Sequence, residues 1–294
     1  DSVKRIEGWS FCRCIALRFI RFSKTLVYIG MHAFGHCYSL KALFLPSTLK
    51  YIEDQAFIHC RSMRVLILPN AIDLGNIGYN IIDGTAIHQI VRNAGVEYHA
   101  GVVDANGIDH FARCVGVGGV EYSAGVGGAN NESIRRIRRV NNLQVNEWLV
   151  HHMDEAPLHK ICYNSFVSTK HINDYLTEHG NDTALQIDTI HGMTPLHILS
   201  MNPHAPSDTI AALLNSNMEA SMCLDTNQHK TPLEYAREYN VEGLMTMITI
   251  LCNHRNYSST SNLVEITTTS TSTSAKTRFD NHWTKRSRRR IYLR

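Results

Sequence analysis

Carboxylate, histidine and cysteine side chains that could do chemistry lie close together around residues 154–162. Asp154 and Glu155 are followed by His159 and Cys162, which could supply a cysteine–histidine nucleophile or metal ligands. The spacing fits neither chemistry well, because no H-E-x-x-H run is present and Cys162 falls on the core side of a short helical pattern. The sequence therefore predicts structural roles here and no catalytic residue, so the chain is not expected to be an enzyme.

Three further cysteines, Cys14, Cys37 and Cys60, recur every 23 residues. They could suggest a metal site, but each falls between apolar columns of a repeat, and no C-x2-C or paired Cys/His spacing accompanies them. A buried free cysteine behaves as a small apolar residue. We therefore expect stacked thiols in a core, and neither metal nor cofactor.

Glycines accumulate in residues 92–131, where Gly116, Gly118 and Gly119 resemble part of a phosphate loop. The pattern fails as a nucleotide motif, because G-x-G-x-x-G would need glycine at Glu121 and no G-x4-G-K-[ST] run exists. We interpret residues 92–132 as a glycine-rich linker.

The elements before this linker follow a 23-residue period. The aligned columns include Ile6, Ile29, Ile52; Phe11, Phe34, Phe57; Leu17, Leu40, Met63; Ile20, Leu43, Leu66; and Phe22, Leu45, Leu68. Such a period predicts a solenoid in which each coil buries its apolar face against the next. Leu43 to Leu45 and Leu66 to Leu68 alternate as short strands, so that Phe44 and Ile67 should point outward.

A basic column accompanies these strands, since Arg18, Lys41 and Arg64 are also 23 residues apart. Stacked about 4.8 Å apart, they could form a stripe for an acidic partner or a solvated edge with the side chains spread into water. Both interpretations stay open. With Phe44 and Ile67, these three residues are candidate partner-binding positions.

The repeat resembles the BspA-like class of leucine-rich repeats. The resemblance rests on I-x4-F-x2-C-x2-L-x2-L-x-L-P, as from Ile29 to Pro46, and covers about residues 6–74 with a degenerate coil from Ile77 to Val91. In that coil Ile82 replaces the phenylalanine. The resemblance implies a curved solenoid with a role in adhesion or protein binding.

A second period of 37–38 residues follows the linker, with the tetrads that begin at Ala156, Thr194 and Thr231. Threonine suits a helix N-cap and proline the first helical position, so each tetrad predicts the start of a helix. Second helices are expected after Ser168, Ser207 and Asn240. T-P-L-H at Thr194 resembles the ankyrin repeat, which implies stacked helix pairs that bind proteins over residues 146–252.

Charge is segregated along the chain, although the formal net charge is only +3. Residues 146–252 carry −9 and residues 253–294 carry +7. Two basic runs could bind an acidic protein or phosphates, or simply be solvated. The candidate partner-binding arginines are Arg135, Arg136, Arg138 and Arg139. The candidate nuclear-localisation residues are Lys285, Arg286, Arg288, Arg289 and Arg290.

These observations predict an α+β chain with a leucine-rich-repeat solenoid at residues 1–91, a linker at 92–132, a basic helix plus ankyrin-like repeats at 133–252, and a disordered tail at 253–294. The expected function is a non-enzymatic scaffold for other proteins; the alternative is a nuclear or nucleic-acid-associated regulator acting through the basic runs. An intramolecular contact between basic and acidic parts is possible, nucleic acid is a less favoured partner, and no membrane partner is expected. Cytoplasm or nucleus is favoured. The chain begins at Asp1 rather than Met, which is compatible with a fragment of a longer protein.

Overall fold

A computed structural model of the chain describes residues 2–96 and 142–267, with side chains as far as residue 255. The chain divides into two compact units, Asp1–Leu251 and Cys252–Arg294. The first unit contains both repeat arrays. In the second unit the described residues continue the last helix to Thr267. No described helix is long and apolar enough to cross a membrane.

The 23-residue columns form stacked coils, and the coils contribute short strands to two parallel sheets. The strands are β1 (Arg5–Ile6), β2 (Tyr28–Ile29), β3 (Ala42–Leu43), β4 (Tyr51–Ile52) and β5 (Val65–Leu66). The first sheet has the order β1-β2-β4, and the second pairs β3 with β5. Ile29 pairs in register with Ile6 and Ile52, so one repeat is one coil. The predicted strands lie one residue earlier than expected, and the first sheet was not predicted.

Each coil turns at two positions where the backbone is left-handed. The first column is Trp9, His32, Gln55 and Asn80; the second is Arg13, His36, His59 and Gly84, with φ between 53° and 67° throughout. Glycine adopts this region without strain and asparagine tolerates it, and six of these eight residues are neither. The last step in both columns is 25 residues, which shows that the degenerate coil is two residues longer than the others.

Stacked phenylalanines fill the interior of the coils. The ring centroids of Phe11 and Phe34 are 5.1 Å apart, and those of Phe34 and Phe57 are 5.9 Å apart. Ile82 is fully buried and takes the equivalent position in the degenerate coil. These contacts join successive coils into one core.

The cysteine column is buried only where another described coil covers it. Cys37 and Cys60 are fully buried and donate their S–H groups to the carbonyls of Phe11 and Phe34, at 3.1 and 3.0 Å. Cys14 is exposed because it lies in the first coil. The expectation of a continuous row of core thiols is therefore wrong at Cys14.

Two helices close the far end of this array: α1 (Ala86–Asn93) and α2, which spans residues 142–151 in the described part of the chain. The amide of Leu68 donates to the carbonyl of Leu149 in α2 at 3.0 Å. Val145, Leu149 and Val150 belong to the same core as the coils. The second sheet is thus covered by α2 next to its edge strand β5, which removes a site for unwanted strand pairing.

Six further helices form three successive pairs. They are α3 (Pro157–Tyr163) with α4 (Thr169–His179), α5 (Pro195–Met201) with α6 (Ser207–Ser216), and α7 (Pro232–Tyr239) with α8 (Val241–Thr267). The predicted caps at Thr194, Thr231 and Ser168 are present. The third pair's second helix begins after Asn240 as expected, whereas α6 begins at Ser207 itself, with Pro206 at the N-cap.

Buried side chains tie each helix pair to the next. Asn202 donates to the carbonyls of Cys162 and Asn164 in the preceding pair, at 2.9 and 3.0 Å. Asn240, 38 residues later, donates in the same way to Asn202 and Ala205. A repeated polar side chain therefore satisfies the carbonyls that helix ends leave free.

Candidate protein-interaction surfaces

The outward face of the second sheet is covered by the helix pairs. Phe44 and Ile67 are 2% and 3% exposed, and the Phe44 ring stacks on Tyr163 with centroids 4.7 Å apart. The Ile67 amide donates to the Tyr163 hydroxyl at 3.0 Å. Both residues point away from the coil core, as expected, but the partner that they contact belongs to the same chain.

The basic column is divided between this internal contact and solvent. Lys41 Nζ lies 3.1 Å from the carboxylate of Glu238, whose other oxygen lies 2.7 Å from Lys230. Burial alone would raise the pKa of Glu238, but the hydrogen bonds from Lys230 and Lys41 outweigh it and lower the pKa. Arg18 and Arg64 are exposed. Lys41 therefore forms an ion pair with the acidic helix pairs of the same chain, and the other two column residues still face solvent.

The two arrays cross in this contact. Tyr239 and Glu238 both lie in the third helix pair. In two successive coils, Phe19 contacts Tyr239 edge to face with ring centroids 5.7 Å apart, and Lys41, beside β3, contacts Glu238. Three residues further along the same coil, Phe44 meets Tyr163 in the first pair. The helix pairs therefore succeed one another along the strand direction, whereas the coils succeed one another across it.

The remaining candidate residues belong to the two basic runs. Arg135, Arg136, Arg138 and Arg139 lie outside the described residues, as do Lys285, Arg286, Arg288, Arg289 and Arg290. The linker prediction also falls largely outside them.

A cleft of about 670 Å³, here called the sheet groove, lies beside the first sheet. The residues that matter for its chemistry are Met31, Tyr51, Ile52, Glu53, Asp54 and Leu143. Ile52 is buried in the coil core and forms the floor, while Met31, Tyr51 and Leu143 are 39%, 47% and 45% exposed. Lysine, arginine and histidine are absent from its described lining. Tyr28 and Tyr51, one period apart beside the isoleucine column, were the sequence signal for this surface.

Histidines cluster where α2 meets the helix pairs. His152 and His191 approach with their Nε2 atoms 3.3 Å apart, and His152 Nδ1 lies 3.0 Å from the Trp148 carbonyl. Burial, with a smaller contribution from His191, lowers the pKa of His152 to about 3. Within the described residues, no three histidine, cysteine or carboxylate side chains are arranged to hold a metal ion. This cluster therefore consists of neutral imidazoles that pack and accept or donate hydrogen bonds.

The regular coils and their two parallel sheets can be compared with known repeats. Residues 1–99 match the family model of the BspA type leucine rich repeat region, in six copies. No curated protein and no solved structure matches the chain. Leucine-rich repeats generally mediate protein–protein interaction and are typically not enzymes, and the first array is a repeat of this kind.

Proposed function

We propose that the chain is a non-enzymatic scaffold that binds other proteins through a leucine-rich-repeat array joined to an ankyrin-type helical array. The observation that carries the proposal is the match of residues 1–99 to a repeat whose general role is protein binding, together with the exposed sheet groove on that same array. The groove combines an apolar floor with polar rims, as binding surfaces for proteins commonly do.

The hydrogen bonds of the T-P-L-H tetrad support the ankyrin-type part of the proposal. The side chains of Thr194 and His197 approach to 2.7 Å, and the Thr194 amide donates to His197 Nδ1 at 3.1 Å. His197 Nε2 then lies 3.0 Å from the carbonyl of Lys230, at the start of the next pair. One imidazole thus caps its own helix and links it to the next repeat, which gives the tetrad a reason to recur.

The predicted module boundaries belong to the same proposal. Residues 1–91 would form the first array and residues 133–252 the second, with the segment 92–132 between them. The contact through Phe44 and Tyr163 supports a scaffold whose arrays act as one body rather than as two tethered modules.

Quantitative affinity purification of the full chain tests the scaffold. The full chain is immobilised, enriched proteins are identified by mass spectrometry, and each candidate is purified and titrated back. We expect at least one direct partner that binds in solution. If no purified candidate binds the full chain directly, the scaffold function is rejected. Nucleic-acid association stays a prediction, because both basic runs lie outside the described residues.

A further inference from the structure

The first sheet contains an internal example of how this surface holds a cation. The guanidinium carbon of Arg5 lies 3.6 Å from the centre of the Tyr28 ring, and Arg5 Nε donates to the Glu7 carboxylate at 2.9 Å. Arginine is suited to both contacts at once, because its planar group stacks on an aromatic face while its N–H groups point sideways at a carboxylate.

A second tyrosine and a second carboxylate lie one coil further on, inside the sheet groove. Tyr51 pairs in register with Tyr28, and Glu53 lies two residues after Tyr51 on the same coil, whereas Glu7 lies on the coil before Tyr28. Glu53 holds its place by accepting the Met31 amide through one oxygen at 2.9 Å. Over Tyr51, however, no cation is found among the described residues, and the ring is 47% exposed.

The rest of the groove lining selects the neighbours of such a cation. Met31 and Leu143 line the same groove with partly exposed apolar side chains, and the buried Ile52 also belongs to the lining. Asp54 adds a second carboxylate. The lining therefore combines net negative charge with apolar surface, which is complementary to a segment that carries both arginine and aliphatic side chains.

We infer that the sheet groove binds a segment of a partner protein in which an arginine stands next to aliphatic residues. The guanidinium stacks on Tyr51 and pairs with Glu53, and the aliphatic side chains pack against Met31 and Leu143. This inference rests on the proposed scaffold function and specifies the partner's chemistry.

Methionine-methyl NMR on the full chain tests the inference, because Met31 lies in the groove and reports on it directly. The probe is a short synthetic peptide that alternates isoleucine and arginine. We expect the Met31 signal to shift on titration, whereas the signals of Met222 and Met245, which are 71% and 59% exposed elsewhere, stay in place. A matched peptide with lysine should bind more weakly, and one with neutral citrulline weaker still.

Two substitutions separate the contacts. Tyr51→Leu keeps apolar surface but removes the aromatic face, and Glu53→Gln keeps an oxygen for the Met31 amide but removes the charge. Each should weaken peptide binding by about two- to fivefold, and the double variant by about tenfold, from the usual strengths of exposed cation–π and ion-pair contacts. The control Tyr38→Leu, at a ring that is 37% exposed outside the groove lining, should leave affinity unchanged.

Several results would overturn the inference. They are an unshifted Met31 signal, equal binding of the citrulline peptide, or an unchanged affinity in the double variant. A Met31 signal that moves on dilution assigns the groove to a second copy. A signal that moves when the four arginines of residues 135–139 are changed to serine, with no peptide present, assigns it to this chain.

The double variant also separates this inference from the scaffold function. Used as bait, it should lose partners that bind through the groove. If it retains every partner of the unmodified chain, the groove inference fails while the scaffold function stands.

Discussion

Removal of a single oxygen from Tyr163 measures how firmly the two arrays are joined. In Tyr163→Phe the ring stays stacked on Phe44, but the amide of Ile67 loses the acceptor that it contacts at 3.0 Å. Both residues are nearly inaccessible to solvent, Tyr163 at 4% and Ile67 at 3% exposure, so water cannot replace the hydroxyl without local opening. A buried amide left without an acceptor costs about 1–3 kcal/mol.

Urea unfolding followed by far-UV circular dichroism converts this cost into a measurable shift. For a slope of about 3 kcal/mol per molar urea, a loss of about 2 kcal/mol lowers the midpoint by about 0.7 M. The matched control is Tyr51→Phe, because its ring is 47% exposed and no described group bonds its hydroxyl. That control should stay within about 0.5 kcal/mol of the unmodified chain.

Equal midpoints for Tyr163→Phe and the unmodified chain would refute the argument. In that case the Tyr163 hydroxyl would be exchanging freely with water, which means that the arrays separate in solution. A double-mutant cycle between Phe44→Ala and Tyr163→Ala adds a second measure. It should give a coupling of about 0.5–1.5 kcal/mol for the stacked rings, and a coupling of zero would point to the same separation.

Three further predictions concern the coils, the helix pairs and acid. Gly30→Ala should destabilise the chain by about 1–3 kcal/mol in urea unfolding, because a Cβ there would lie 2.4 Å from a backbone nitrogen of the preceding coil. At Gly75 the closest atom is a side-chain oxygen at 3.2 Å, so the control Gly75→Ala should cost less than Gly30→Ala. Asn202→Ala should cost about 2–4 kcal/mol in urea unfolding, because the buried carbonyl of Cys162 and the partly buried carbonyl of Asn164 lose their donor. The exposed Asn215→Ala should change stability little, and equal effects of the two substitutions would contradict the linking role of Asn202. His152 has a pKa of about 3 in the folded chain, against an ordinary value of 6.5, so the unfolded chain binds the proton first and stability falls as the pH drops below 6.5. Between pH 7.5 and 5 the loss of stability at this residue is about 2 kcal/mol. Unfolding curves at these two pH values should show that His152→Leu reduces the acid sensitivity by that amount.

The sequence was most informative where one residue type recurs at one structural position. The Phe11, Phe34 and Phe57 column predicted the coil interior because each ring packs on the next, and the threonine–proline tetrads predicted helix starts because capping is local chemistry. The left-handed turns escaped prediction, since His32 and Gln55 occupy a conformation that usually signals glycine or asparagine.

The contact between the arrays is a part of the fold that the repeat pattern did not predict. Phe44 and Ile67 point outward from the coil core as predicted, but periodicity holds no information on which distant surface covers them. Tyr163, which does so, lies 96 residues from Ile67 in the chain. The sheet groove was not predicted, because Tyr51 is exposed and lies outside the apolar columns that define the repeat.

The crossed arrangement of the arrays bears on how such a chain can change length. Coils are added across the strand direction and helix pairs along it, so the two arrays extend in different directions from one shared contact. A duplication of a 23-residue coil at the N-terminal end of the first array, or of a 38-residue helix pair after the third pair, would leave Phe44, Lys41 and their partners undisturbed. The number of repeats in either array can therefore vary independently of the other. The length of each array and its binding surface can change while the contact between the arrays stays the same.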